Sequence, residues 1–97
     1  MFLRLTTIKF NPTNLDKIKK IYNSKKVSGI LIKQEGYKFH YFCELKNKTD
    51  EALSIIAWDS KENLEKYEQN GVYNGMINNF KGYFTEKPVI KNYKVRV

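Results

Sequence analysis

The chain predicts an α+β ferredoxin-like sandwich: a four-stranded antiparallel sheet with its helices on one face, in the order β-α-β-β-α-α-β. Three observations carry that expectation. Four runs rich in β-branched and aromatic residues alternate or end at turn residues. Segments with apolar residues three and four apart separate the first run from the second and the third from the fourth. The length, 97 residues, suits one domain with a small core.

The first run is "FLRLTTIKF", residues 2–10, which reads as a strand. "NPTN" then ends it, because Pro12 donates no ladder hydrogen bond and Asn and Thr favour helix starts. Leu15, Ile18, Ile21 and Tyr22 recur at helical spacing among lysines, giving a helix over about 13–26. Residues 27–36, containing "GILIKQEG", fit either a short strand or an apolar connection docked on the core. "YKFHYFCEL", residues 37–45, alternates Tyr37, Phe39, Tyr41, Cys43 and Leu45 onto one face. If those residues meet the helices, His40 points the other way.

"KNKTDE" turns the chain and "ALSIIAW", residues 52–58, completes an antiparallel hairpin. Asp59 or Ser60 caps the next helix, and Asp59 with Glu62 has capping-box spacing. Leu64 and Tyr67 face inward, and Asn70-Gly71 stops the helix. Tyr73, Met76, Ile77 and Phe80 form a second helical stripe that ends at Gly82. After Pro88, "VIKNYKVRV" supplies the last strand, with Val89, Tyr93, Val95 and Val97 on one face. The far side of this sheet inherits surplus aromatics. A large apolar sheet face marks an interface, so the chain is expected to be a homodimer.

Composition narrows the class. The hydrophobic fraction is 41%, which fits a globular chain. The net charge of +8 permits nucleic acid or an anionic ligand, but the lysines are scattered and read as a solvated surface. Cys43 is the only cysteine, which removes an internal disulfide and a cysteine metal cluster and fits a cytoplasmic protein. No apolar stretch is long enough for export or for a membrane span. His40 and Cys43 alternate onto opposite faces of one strand, so no metal site is expected.

"AWDSKENLEKYEQNGVYNGMINNF" carries a resemblance: Trp58 at a strand end, Ser60 and a charged helix start, Tyr67, then the "NGVY" break into a second helical segment, with a final strand after Pro88. This layout resembles the antibiotic biosynthesis monooxygenase superfamily over nearly the whole chain. The resemblance implies a dimeric α+β barrel. It also implies a cofactor-independent monooxygenase, an oxidoreductase acting on a small phenol- or quinol-like aromatic. The small haem-degrading monooxygenases of the superfamily use an Asn on the first strand, a Trp on the helix after the hairpin and a His one helical segment later. The matching positions here are Thr7, Tyr67 and Ile77. Ile77 cannot ligate iron, so haem is disfavoured and no cofactor is expected.

Within that frame Tyr67, Tyr73 and Trp58 are candidate catalytic residues, and Thr7, Ser54, Asn74 and Ile77 candidate substrate contacts. The simpler readings are a core tryptophan and tyrosines that pack with their hydroxyls at the surface. His40, with an ordinary pKa near neutral, is a possible base but is better read as structural or solvent-exposed. Two other functions compete. One is a non-catalytic member of the same fold that binds a small ligand or a protein. The other is RNA binding, since "EGYKFHYF" matches an RNA-recognition pattern at Gly36, Tyr37, Phe39 and Phe42. Glu35 and Lys38 break that pattern, and it falls on the second strand instead of the third.

Overall fold

The computed structural model describes residues 1–97. Strands β1 (Phe2–Lys9), β2 (Tyr37–Glu44), β3 (Glu51–Trp58) and β4 (Val89–Lys94) form one antiparallel sheet in the order β2-β3-β1-β4. Helices α1 (Leu15–Tyr22), α2 (Ser28–Leu31), α3 (Lys61–Gln69) and α4 (Val72–Ile77) connect them. The fold class is the one the sequence predicts.

The register fixes which residues meet the helices. In β1, Arg4, Thr6 and Ile8 are buried, with Phe10 just beyond the strand. In β3, Ala52, Ser54, Ile56 and Trp58 are buried on the same side. Leu3, Leu5 and Thr7 therefore face away, paired across the sheet with Ala57, Ile55 and Leu53 of β3 and with Tyr93, Lys91 and Val89 of β4. This outward face carries Tyr41 at 60% exposure, Val89 at 55% and Tyr93 at 47%.

β2 departs from simple alternation. Its register against β3 shifts between Tyr37, opposite Trp58, and Phe39, opposite Ala57. The extra residue turns Tyr37 to the helix side, where it packs on the core, and leaves Phe39 and Tyr41 outside. His40 then points at the helices, not away from them: it bonds Ser28 of α2. Tyr37 and Phe42 pack on the core and Phe39 faces outward, so the aromatics of the RNA-like pattern do not share one open face.

Local chemistry sets the helix ends. A 3-10 turn, Pro12–Asn14, precedes α1, with the Asn11 side chain accepting from the Thr13 N–H. α1 stops at Tyr22, earlier than its periodicity predicts, where the Ser24 hydroxyl donates to the Ile21 carbonyl at 2.6 Å. The ambiguous stretch after it is the short helix α2, which buries Leu31 behind the buried Val27. Ser60, not Asp59, caps α3 by accepting from the Asn63 N–H, while Asp59 accepts from the Asn63 side chain at 2.8 Å. Gly71, at φ +81, separates α3 from α4. β4 ends at Lys94, and only the Val95 N–H, bonded to the Met1 carbonyl, extends its pairing.

Candidate functional site

Between the helices and the covered sheet face lies a cavity of about 50 Å³, walled mainly by apolar side chains. β1 contributes Thr6, β3 contributes Ser54, α1 contributes Tyr22, α3 contributes Tyr67, and α4 contributes Tyr73 and Ile77. Period-two alternation brings Thr6 and Ser54 side by side, because they are Cα partners across β1 and β3. Helical spacing brings Tyr67 over Trp58: their rings are 4.7 Å apart and inclined by 32°. Such a pair adds about 0.5–1.5 kcal/mol beyond the area it buries.

The hydroxyls of the wall differ in how they are satisfied. Tyr22 donates to the Tyr41 carbonyl at 3.2 Å and shares a 2.8 Å hydrogen bond with Ser54. Burial pushes the Tyr22 phenol up to about 12. Tyr67 is 1% exposed and its hydroxyl has no partner. Burial pushes its pKa up strongly, and the nearby Arg4 guanidinium opposes the shift. Burial also raises Tyr73, again against Arg4. All three phenols are neutral at ordinary pH.

Arg4 is the one buried cation, at 4% exposure. Its guanidinium carbon lies 4.9 Å from the centroid of Tyr73 and 5.6 Å from that of Tyr67. It bonds Glu68 of α3 at 2.8 Å, and Asn92 of β4 donates to the same carboxylate oxygen at 3.0 Å. No motif marks Arg4 and Thr6; a lone arginine among the inward positions of an alternating strand is the one signal the residues offer.

The predicted site residues separate. Tyr67, Tyr73, Ser54 and Ile77 share the cavity wall. Trp58 is fully buried beneath Tyr67 and borders, with it, a separate polar recess of about 90 Å³. Thr7 is a correction: with Arg4 and Ile8 turned inward, its side chain lies on the opposite face of the sheet, and Thr6 takes the place expected of it. Asn74 is exposed on α4 and does not join the wall.

His40 belongs to a network outside the cavity. Its Nε2 is 2.8 Å from Ser28 Oγ, its Nδ1 is 2.5 Å from the Tyr37 hydroxyl, and Ser28 donates to the Tyr22 carbonyl. With the serine proton committed to that carbonyl, Nε2–H donates to Ser28 and Nδ1 accepts from Tyr37. Burial lowers the His40 pKa, which keeps the ring neutral. The network ties β2 to α1 and α2; His40 does not itself line the cavity, but its ring packs edge-on against that of Tyr22, which does. No group of three His, Cys, Asp or Glu side chains is gathered to hold a metal ion. No helix is long and apolar enough to cross a membrane.

No family model matches the sequence, and no curated protein is similar to it at the sequence level. Solved structures are similar over essentially the whole chain. A protein from Bordetella bronchiseptica assigned to the antibiotic biosynthesis monooxygenases superposes with a TM-score of 0.83 at 9% identity, covering 99% of this chain and 97% of its own. One from Caulobacter crescentus CB15, assigned likewise, gives 0.82 at 11% identity, with 99% and 90% covered. The heme-degrader MhuD from Mycobacterium tuberculosis, solved with two hemes in its active site, gives 0.77 at 12% identity, with 100% and 97% covered. The chain has the fold of the antibiotic biosynthesis monooxygenases.

Proposed function

We propose that the protein binds a small phenol- or quinol-like aromatic in the cavity between helices and sheet and oxygenates it without a cofactor. One observation carries this reading: an apolar cavity whose wall holds the unpartnered Tyr67 hydroxyl, backed by the Arg4 guanidinium. A phenol written as its keto tautomer has a CH2 group. That carbon loses two hydrogens and gains one oxygen, and the second atom of O2 leaves with those hydrogens as water. The electrons come from the substrate anion, so the protein's part is to favour that anion and hold it in a dry site.

Haem fits these residues poorly. The free space is about 50 Å³, whereas pockets for drug-sized ligands run to about 300–1,000 Å³. Ile77 stands in the wall, and both nitrogens of His40 are engaged elsewhere. The cavity is also smaller than the roughly 150 Å³ that holds a benzene in an engineered core. A substrate must therefore displace part of the wall. α4, six residues long and preceded by Gly71 in the left-handed region, contributes Tyr73, Met76 and Ile77 to that wall.

A non-catalytic ligand-binding role is the second reading. It is favoured by the absence of a group in the wall that titrates near neutrality: the buried phenols are raised, and His40 lies outside. The two are separated by aerobic incubation of the protein with a panel of small phenols and quinols. Oxygen uptake matched to quinone formation, above the rate without protein, supports the oxygenase. Quenching of the Trp58 emission with no oxygen uptake supports the binder.

The bare sheet face supports a homodimer, with two sheets packed face to face. Leu3, Leu5, Leu53, Ile55, Tyr41 and Tyr93 would otherwise meet water together. Cys43 is a free thiol, which suits the cytoplasm.

A further inference from the structure

The polar recess of about 90 Å³ shares only Tyr67 with the cavity. One wall is a stripe of α3 and its C-cap: Asn63, Lys66, Tyr67 and Asn70, at i, i+3, i+4 and i+7, lie on one helix face. Gln34 and Glu35, between α2 and β2, form the facing wall. Two polar contacts span the gap: Lys66 donates to Glu35 at 3.3 Å and Asn70 to Gln34 at 3.5 Å. The loop beside them is pinned. The Asp59 N–H donates to the Gly36 carbonyl at 2.8 Å, and a Cβ at Gly36, φ +83, would collide with Asp59 and Asn63. The recess is therefore built into the fold, which cuts the ordering cost of filling it. Trp58, which borders it, is fully buried, and its indole N–H has no acceptor.

We propose that this recess is a second ligand site, independent of the oxygenase reading, and that it takes a small neutral primary carboxamide. An indole N–H only donates, so the ligand must bring an acceptor. A buried donor left unpaired costs stability, and a carbonyl oxygen that reaches it recovers that loss. An ammonium group has no lone pair to offer and is refused. The Glu35 carboxylate stands against an anion, and its pairing with Lys66 leaves the rim without net charge. A primary amide meets each condition. Its carbonyl accepts from Trp58, and its NH2 donates to Glu35 and to the side-chain oxygen of Asn63, whose own NH2 is engaged with Asp59. Volume sets the size. The recess is smaller than the roughly 150 Å³ that holds a benzene in an engineered core, so a molecule of about four or five heavy atoms fills it.

Trp58 is the only tryptophan, so an isotope-labelled chain gives one indole N–H resonance in a proton–nitrogen correlation spectrum. Acetamide should shift that resonance saturably, with a Kd between about 0.1 and 10 mM. Acetate and methylammonium should bind at least about tenfold more weakly. Glu35→Gln, at an exposed position, should bring acetate to within about twofold of acetamide and leave the rest of the spectrum in place. A resonance with no saturable shift up to about 100 mM acetamide would overturn the proposal, because the recess would then hold water alone. Equal responses to the three probes would overturn it too, as would an acetate affinity that Glu35→Gln leaves unchanged. None of these results touches the cavity, whose reading stands or falls on the phenol and quinol incubations.

Discussion

On its covered face β1 presents Arg4, Thr6 and Ile8, whereas on its bare face it presents Leu3, Leu5 and Thr7. β3 repeats the contrast, with Ser54 inside and Leu53 and Ile55 outside. In an ordinary one-sided sheet the polar residues face water and the apolar ones the core. Here three polar residues, Arg4, Thr6 and Ser54, are carried into an otherwise apolar enclosed layer, while Leu3, Leu5, Leu53 and Ile55 are turned out of it. Each face thus lacks something that this chain alone does not provide: the inner one an acceptor for its donors, the outer one a cover for its apolar surface.

Substitutions can sharpen or break that contrast. The largest effect should come from the inner face, where Trp58 is fully buried against Tyr67. Trp58→Ala is expected to lower unfolding free energy by about 3–5 kcal/mol in denaturant titrations. On the outer face, Ile55→Asp changes a residue that pairs with Leu5 and Tyr41. It should leave the isolated fold intact by circular dichroism but weaken self-association at least about a hundredfold, since it places a charge inside the proposed interface. Folding lost together with association would mean that the outer face belongs to the core of one chain.

Alkaline pH probes the inner face alone. The Tyr22 phenol is raised from 10.0 to about 12 by burial. A group raised on folding contributes its stability fully below the unfolded pKa and loses it as pH climbs through the folded one. Thermal stability should therefore fall between about pH 10 and 12, by roughly 2–3 kcal/mol for Tyr22. Tyr22→Phe should flatten that slope. The smallest effect lies away from both faces: Ser60→Ala removes the cap of α3 and is expected to cost about 1 kcal/mol without changing association or ligand preference.

Much of this architecture is legible in residue order. The alternation of β1 and β3, the Asn70-Gly71 break and the i, i+3, i+4 stripes place Tyr67, Tyr73, Ser54 and Ile77 around one space. The failures have local causes. A bulge near Lys38 leaves no mark in composition, so simple alternation fails in β2: Tyr37 meets the helices, but Phe39 and Tyr41 face away from them and His40 points inward. Thr6 and Thr7 are chemically identical neighbours, and the inward position is settled only by the register that buries Arg4 and Ile8. α1 ends early because the Ser24 side chain competes for a helix carbonyl, a choice that helical periodicity does not register. Arg4 itself looks like one more surface cation until the strand is placed in its sheet.

Sedimentation equilibrium across a hundredfold range of protein concentration tests the contrast between the faces most directly. The account predicts the mass of two chains, twice 11.5 kDa, reduced to one by Ile55→Asp. A stable 11.5 kDa species at every concentration would contradict it, because the aliphatic side of the sheet would then stand open to water with nothing to cover it.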